Sequence, residues 1–528
     1  MEQIPILSLI TYAPLASAIT LFLWPSASDR AARWVALLGT GAAFALSLAM
    51  LAAFDRSVTG MQFIEFIDWL PELGIAYRLG IDGISAPLVV LTTLLSLISV
   101  VASWDPIQRR VREYYIALLL LETGMLGVFV SLDLFLFYVF WEVMLIPMAL
   151  IIGIWGSANR VYAAVKFFLY TLAGSLLMLV GIVAVYQAYF QQTGVRTLDV
   201  LELAQGSYVP EFQMWAFAAF FLAFAIKIPM WPFHTWLPDA HVEAPTAGSV
   251  LLAGVLLKMG GYGLLRFNLP LFPDATQSWA PLIVVLSLIA IAYGALVALV
   301  QTDLKKLVAY SSVSHMGFVT LGIFALNAQG LYGAMVVMVS HGLVTGALFL
   351  LVGTLYERAH TRELAAFGGL HRSMPIAAAF WGLFTFASLG LPGLSGFVGE
   401  FLAILGGFRA YWWAGVIALL VVILSAWYML WMLQRIVMVR APGEPPDPDD
   451  PELRLAVEAG VPPVAGGAGP TGPEVDPRRF ADLNWKEVAT LVPLAMLTIW
   501  IGVAPGSLMG MMRPAIEAAL ATFGRIGI

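Results

Sequence analysis

Apolar runs of about 20 residues, each closed by a short polar stretch, recur from one end of the chain to the other, and each is long enough to cross a bilayer as a helix. The pattern predicts fourteen spans, near residues 5–24, 32–53, 85–104, 114–131, 134–155, 162–190, 212–236, 244–266, 279–300, 303–326, 329–356, 374–408, 411–434 and 487–511. Two stretches break the rhythm. Residues 55–84 are too polar to span and predict an ordered external hairpin or loop. Residues 441–485, rich in Pro, Gly and acids, predict a mobile cytoplasmic loop, an insertion rather than a docking element.

An even number of spans puts both termini on one side. Seven Lys and Arg fall on that side: Arg56, Arg78, Arg196, Arg266, Arg409, Arg513 and Arg525. The other side and its flanks hold eighteen, including Arg109, Arg110, Arg112, Lys305, Lys306, Arg358, Arg362 and Arg372. Positive charge gathers on the cytoplasmic side, so both termini are expected outside the cytoplasm. The opening MEQIP lacks a basic segment, which reads the first run as a retained span rather than a signal peptide.

Composition agrees with the pattern. The 528 residues are 60% hydrophobic and 11% charged, with a mean hydropathy of +0.88, against about a quarter charged in a soluble domain. There is no cysteine, which excludes disulfides, thiolate chemistry and cysteine-ligated iron–sulfur clusters in this chain. No phosphate-binding glycine loop, zinc-spaced histidine set or nucleophile elbow is present. No basic surface supports nucleic-acid binding.

The string LAGSLLMLVG (172–181) lines up with VTGALFLLVG (344–353). At nearly the same offset Lys227 falls on Glu400, and Glu142 on His315. The coincidence of charged positions argues for two copies, spans 4–8 and 9–13. Five spans per copy is odd, so the second copy starts from the opposite face, which makes an inverted repeat. Both copies carry a breaker beside the charge: Pro229 and Pro232 follow Lys227, and LPGLSG (391–396) precedes Glu400. Broken helices at mid-membrane need protein or water to satisfy the freed backbone, so spans 7 and 12 should line a hydrated interior.

Charge inside a bilayer costs at least ~2.5 kcal/mol per residue, which makes function the leading reading for Glu142, Lys227, Lys258 and Glu400. Glu142 lies some eight residues into the fifth span, roughly 12 Å along a helix, with Lys227 as its natural partner. At about 4 Å such a pair gains on the order of 4 kcal/mol, enough to govern when the lysine holds its proton. Lys258, in VLLKMGGYG, is a second proton holder, and His315 (SSVSHMGF) and His341 (MVSHGLVTG) suit relay toward Glu400. A satisfied core imidazole is the alternative for the two histidines. Glu122 is a further intramembrane carboxylate. His234, Asp239, His241 and Glu243 cluster at the cytoplasmic end of span 7, as a proton-collecting mouth or an ordinary polar loop. Asp133 and Asp303 precede apolar helices and read as N-caps.

At these residues the chain resembles a known family. FWEVMLIPM, KIPMWPFHTWLPDAHVEAPTAGSVLLAGVLLKMGGYG, SSVSHMG, VSHGL and LPGLSGFVGEF are together similar to the antiporter-like membrane subunits of respiratory complex I. The resemblance covers essentially the whole chain. Glutamate at the last charged position, Glu400, favours the chain M type over the chain L and chain N types, and no long lateral helix follows span 14, as chain L would require.

The resemblance implies an all-α polytopic membrane protein of about 14 transmembrane helices, with two inverted five-helix repeats and broken helices 7 and 12. The parts would be 1–110, three N-terminal spans with an external loop; 111–268, the first repeat; 279–440, the second; 441–485, the cytoplasmic loop; and 486–528, the last helix. Implied roles are Glu142 and Lys227 as modulating ion pair, Lys258 as central carrier and Glu400 as exit-side residue, with His315 and His341 added as relays from their place in the spans. Glu122, His234, Asp239 and His241 stand as secondary candidates.

The expected activity is proton translocation, from cytoplasm to periplasm across the bacterial inner membrane, as part of a NADH:quinone oxidoreductase. No cofactor or metal is expected in this chain; FMN, iron–sulfur clusters and quinone would sit on partner subunits. The partners would be the other membrane subunits, including chain L and chain N neighbours, and the lipid bilayer. Alternatives are a subunit of a multi-chain cation/proton antiporter, the equivalent subunit of a membrane-bound hydrogenase, and a non-conducting scaffold.

Overall fold

A computed structural model describes residues 4–439 and 480–524. The chain begins with helices α1 (Ile6–Leu23) and α2 (Asp29–Ala53), then an antiparallel hairpin of β1 (Gln62–Leu70) and β2 (Ile75–Ile81). Helices α3 (Ser85–Ala102), α4 (Val111–Val130), α5 (Leu134–Val143), α6 (Leu145–Trp155) and α7 (Arg160–Thr193) follow, with a short α8 (Val200–Leu203). Next come α9 (Pro210–Lys227), α10 (Trp236–Glu243) and the long α11 (Thr246–Leu271). Then follow α12 (Pro273–Leu299), α13 (Leu304–Phe324), α14 (Ala328–Ala359), α15 (Pro375–Ser388), α16 (Ser395–Ala410) and α17 (Trp412–Met438). After the undescribed segment, α18 (Trp485–Val503) and α19 (Gly506–Gly524) close the chain. Most of the expected 441–485 loop lies outside the described residues. Among the described residues, twelve helices are long and apolar enough to cross a membrane.

Local sequence sets the boundaries. Asp133 accepts from the amides of Phe135 and Leu136, and Asp303 from those of Lys305 and Lys306, so both cap helix N-termini. Asn484 and Glu487 form a reciprocal capping box at the start of α18. That helix stops at Val503 rather than running to 511, because Pro505 cannot continue it, and the chain resumes as α19.

The stretch 55–84 is an ordered hairpin, fastened to the bundle by its charged residues. The Glu65 carboxylate accepts the Leu7 amide at 2.7 Å at the start of α1. Arg78 pairs with Asp199, and Asp82 with Arg266 at 2.5 Å. Arg266 is buried, since α11 extends to Leu271 beyond the expected end at 266.

Burial is uneven among the spans. Those of α11 and α14 are enclosed along their whole length and that of α13 nearly so, whereas α1, α2 and α18 expose most of theirs. A helix apolar on all sides belongs in the interior. The enclosed helices carry Lys258, His341 and His315.

Two spans break near their charged residues. α9 ends at Lys227, and residues 228–235 run irregularly before α10. The Trp236 indole donates to the Ile226 carbonyl at 2.8 Å, supplying a partner to backbone at the break. The second break, 389–394, turns through Gly390 and Gly393, at φ +81 and +94. A Cβ on Gly396 would stand 1.9 Å from the Ala387 carbonyl, so glycine lets the two half-helices α15 and α16 overlap there.

Candidate functional site

Lys258 sits on α11 between two π-helical turns, Leu252–Leu256 and Leu264–Asn268. Its ammonium donates to the Ala253 carbonyl and shares a 2.7 Å hydrogen bond with His341 Nδ1 on α14. Gly260 lets α11 approach the end of α9, since a Cβ there would lie 2.7 Å from both the Phe224 carbonyl and the Ile228 side chain.

The next link is His315 on α13, whose ring centroid lies 5.7 Å from that of His341. A cavity of ≈ 20 Å³ lies against both imidazoles and is also lined by Ser340, Thr345, Ser388 and Glu400. That volume accommodates about one water. His315 Nδ1 then meets Glu400 Oε1 at 2.7 Å, and its Nε2 meets Ser388 Oγ at 3.2 Å. Both side chains of the His315–Glu400 pair are buried.

Lys258, His341, His315 and Glu400 therefore form a line of proton-bearing groups from four helices. Adjacent members are hydrogen-bonded or separated by a gap of one water. A proton can pass along such a line by short transfers, each group alternately donor and acceptor.

The first half of the chain is arranged differently from the sequence expectation. Lys227 is fully buried, but among the described residues no carboxylate lies within ion-pair distance of it. Its nitrogen is 3.6 Å from Met144 Sδ and 5.4 Å from the ring centroids of Trp141 and of Phe167. Glu142 is half-buried near the end of α5, with Oε1 buried and without a hydrogen-bond partner. The expected close Glu142–Lys227 contact is thus absent in this conformation. The helix breaks at Met144, where Pro147 leaves the Val143 carbonyl without its helical donor. Glu122 is enclosed in α4 with both carboxylate oxygens unpartnered.

Nor do the four residues of the expected mouth converge. Asp239 pairs with Lys166 at 2.7 Å, and Glu243 accepts the Asn159 amide at 2.9 Å. His234 meets the edge of Tyr293, whereas His241 is fully buried against Phe349 with both ring nitrogens unpartnered. His234 precedes α10, and His241, two residues from each of Asp239 and Glu243, points to nearly the opposite side of that helix.

A larger polar cavity of ≈ 240 Å³ lies nearby, lined by Thr246, Lys305, Tyr356, Glu357 and Arg362 among others. Lys305, expected as an orientation signal, is buried and donates to the Ala244 carbonyl at 2.5 Å. Arg362 donates to the Val242 carbonyl at 2.5 Å, so two cations hold the carbonyl end of α10. Ser388 was missed as well: one hydroxyl in an apolar run carries no distinguishing signal.

Comparison with known proteins decides the family. Residues 131–425 match the family described as NADH:quinone oxidoreductase/Mrp antiporter, TM. The chain is 47% identical over 528 residues to the NADH-quinone oxidoreductase subunit M of Rhodobacter capsulatus, covering 97% of this chain and 95% of that protein. The chain belongs to the subunit M family of NADH-quinone oxidoreductases. Its fold matches a chain of respiratory complex I from Thermus thermophilus, at a TM-score of 0.84 and 31% identity, covering 98% and 100% of the two chains. It also matches a chain of the Mrp complex from Dietzia sp. at a TM-score of 0.80 and 23% identity, covering 98% and 100%, a likeness of fold alone. A subunit M chain is a multi-pass membrane component of a respiratory enzyme complex, and its place is among the other membrane subunits.

Proposed function

We propose that this chain carries protons from the cytoplasm to the periplasm through the line Lys258, His341, His315 and Glu400. Glu142 and Lys227 would control its loading. The observation that carries the reading is the continuity of that line across four helices, three of them enclosed. Bare structural ion pairing does not require it. Glu122, His234, Asp239 and His241 are secondary members, of which His241, enclosed and unpartnered, is the best placed. Each charge moved against 100 mV costs about 2.3 kcal/mol, supplied by redox chemistry in partner subunits that hold FMN, iron–sulfur clusters and quinone.

The architecture that goes with this reading is fourteen spans, counting α5–α6, α9–α10 and α15–α16 as one span each. The two inverted five-helix repeats would occupy 111–268 and 279–440, and the distribution of Lys and Arg supports both termini on the periplasmic side. Neighbours of the chain L and chain N types would flank it.

The test is to tag the chain, extract it gently and measure whether NADH:quinone reductase activity and flavin co-purify. Proton uptake is then followed in inverted membrane vesicles carrying Lys258→Met. Co-purification with loss of pumping in the variant is expected. Recovery of other membrane subunits without redox activity would move the reading to cation/proton exchange. Intact pumping by Lys258→Met would leave only a scaffold.

A further inference from the structure

Lys227 keeps company that a proton relay does not by itself require. Two aromatic rings stand 5.4 Å from its nitrogen, within the range where a ring face attracts a cation, and Met144 Sδ touches it at 3.6 Å. The rings are held in place. Trp141 packs at 5.6 Å on both Phe137 and Phe224, and Phe167 at 5.4 Å on Trp236.

Met144 is also where the helix breaks. Residues 142 and 144 lie about 200° apart around a helix axis, so the orientation that brings Met144 to Lys227 turns Glu142 away. Gly124 on α4 leaves the room for the break, since a Cβ there would stand 2.8 Å from Met144 Cβ.

We propose that Trp141, Phe167 and Met144 form a resting cradle for the charged Lys227, and that the break at Met144 is the hinge that exchanges this cradle for the Glu142 carboxylate. The inference rests on the reading of Glu142 and Lys227 as the pair that controls loading of the line. Ring faces and a thioether stabilise an ammonium but accept no proton from it. A carboxylate stabilises the ammonium more than ring faces and a thioether do, so the hinge motion determines when the stronger partner arrives. Trp141 and Phe167 act as positioning residues, through electrostatics rather than volume.

The test separates those two properties. Phe167 is replaced, in the full complex, by mono-, di- and trifluorophenylalanine, which withdraw charge from the ring face at nearly constant size. Proton uptake per NADH oxidised is measured in inverted vesicles, with Phe167→Leu, Phe167→Tyr and Lys227→Met alongside. Pumping should fall stepwise with fluorine number, by about tenfold across the series, the scale of a desolvated cation–π contact. It should also fall in Phe167→Leu and be retained in Phe167→Tyr.

A flat fluorine series together with loss of pumping in Lys227→Met overturns the cradle while leaving the lysine's role intact. Pumping undiminished in Lys227→Met overturns both. The fluorinated chains keep the packing, so a failure of Phe167→Leu to assemble leaves the test decisive.

Discussion

Replacing Glu400 by glutamine removes one negative charge from the end of the proton line while keeping the size and one acceptor of the side chain. The carboxylate accepts from His315 Nδ1 at 2.7 Å, and the two side chains are only 6% and 7% exposed. A hydrogen bond to a charged group is worth about 1.5–3 kcal/mol. Glutamine keeps a neutral bond worth about 0.5–1.5 kcal/mol, so the variant forfeits about 1–1.5 kcal/mol and, at about 1.4 kcal/mol per factor of ten, slows transfer through this link by about 5- to 12-fold. The assay is dye-reported acidification of inverted vesicles driven by NADH. NADH oxidation with a soluble acceptor serves as the control for assembly. Glu400→Asp, which keeps the charge but shortens the reach, should fall between parent and glutamine variant. Pumping by Glu400→Gln within twofold of the parent, at full assembly, would refute the line as the route.

Ser388→Ala removes the weaker partner of His315, at 3.2 Å, and should slow pumping by only about two- to tenfold, the range of a neutral hydrogen bond. Asp82→Asn or Arg266→Met alone should lower the thermal stability of the isolated complex, since breaking a buried pair costs about 3–5 kcal/mol, and the double variant should recover most of it. Burial alone would push the Asp82 carboxyl up, but the Arg266 guanidinium beside it holds it below the ordinary 3.8. A depressed carboxylate stabilises above its ordinary value and loses that contribution as pH falls toward the folded one. Acid release of the hairpin below about pH 4 should therefore disappear in the double variant, as limited proteolysis would report. Lys305→Met leaves the buried Ala244 carbonyl without its donor and should destabilise the subunit by about 1–3 kcal/mol, measured as a lowered midpoint in detergent melting.

How far the chain could be read in advance follows from the cost of what it buries. Lys258, His315, His341 and Glu400 stood out because charge and imidazole in apolar runs are expensive, and the fold brings those four into one line. Asp133 and Asp303 were legible as caps because capping is decided within three residues. The Glu142–Lys227 distance was not, since it depends on a break at Met144 that a continuous apolar run conceals, although Pro147 marked it. The supposed mouth failed for a related reason: His234 lies before the short helix, and His241 points away from Asp239 and Glu243 on it. Arg266 and Lys305 looked like orientation signals because they stand near expected span ends. A helix running five residues further, and a carbonyl end in need of donors, place them inside.

The two π turns that flank Lys258 have a mechanical consequence. Each holds one residue more than an α-turn, and a residue of surplus corresponds to about 100° of rotation. If one turn tightens while more surplus passes to the other, the segment Leu257–Gly263 between them revolves with its ends fixed. Such an exchange would turn Lys258 toward or away from His341 while the ends of the helix stay in place.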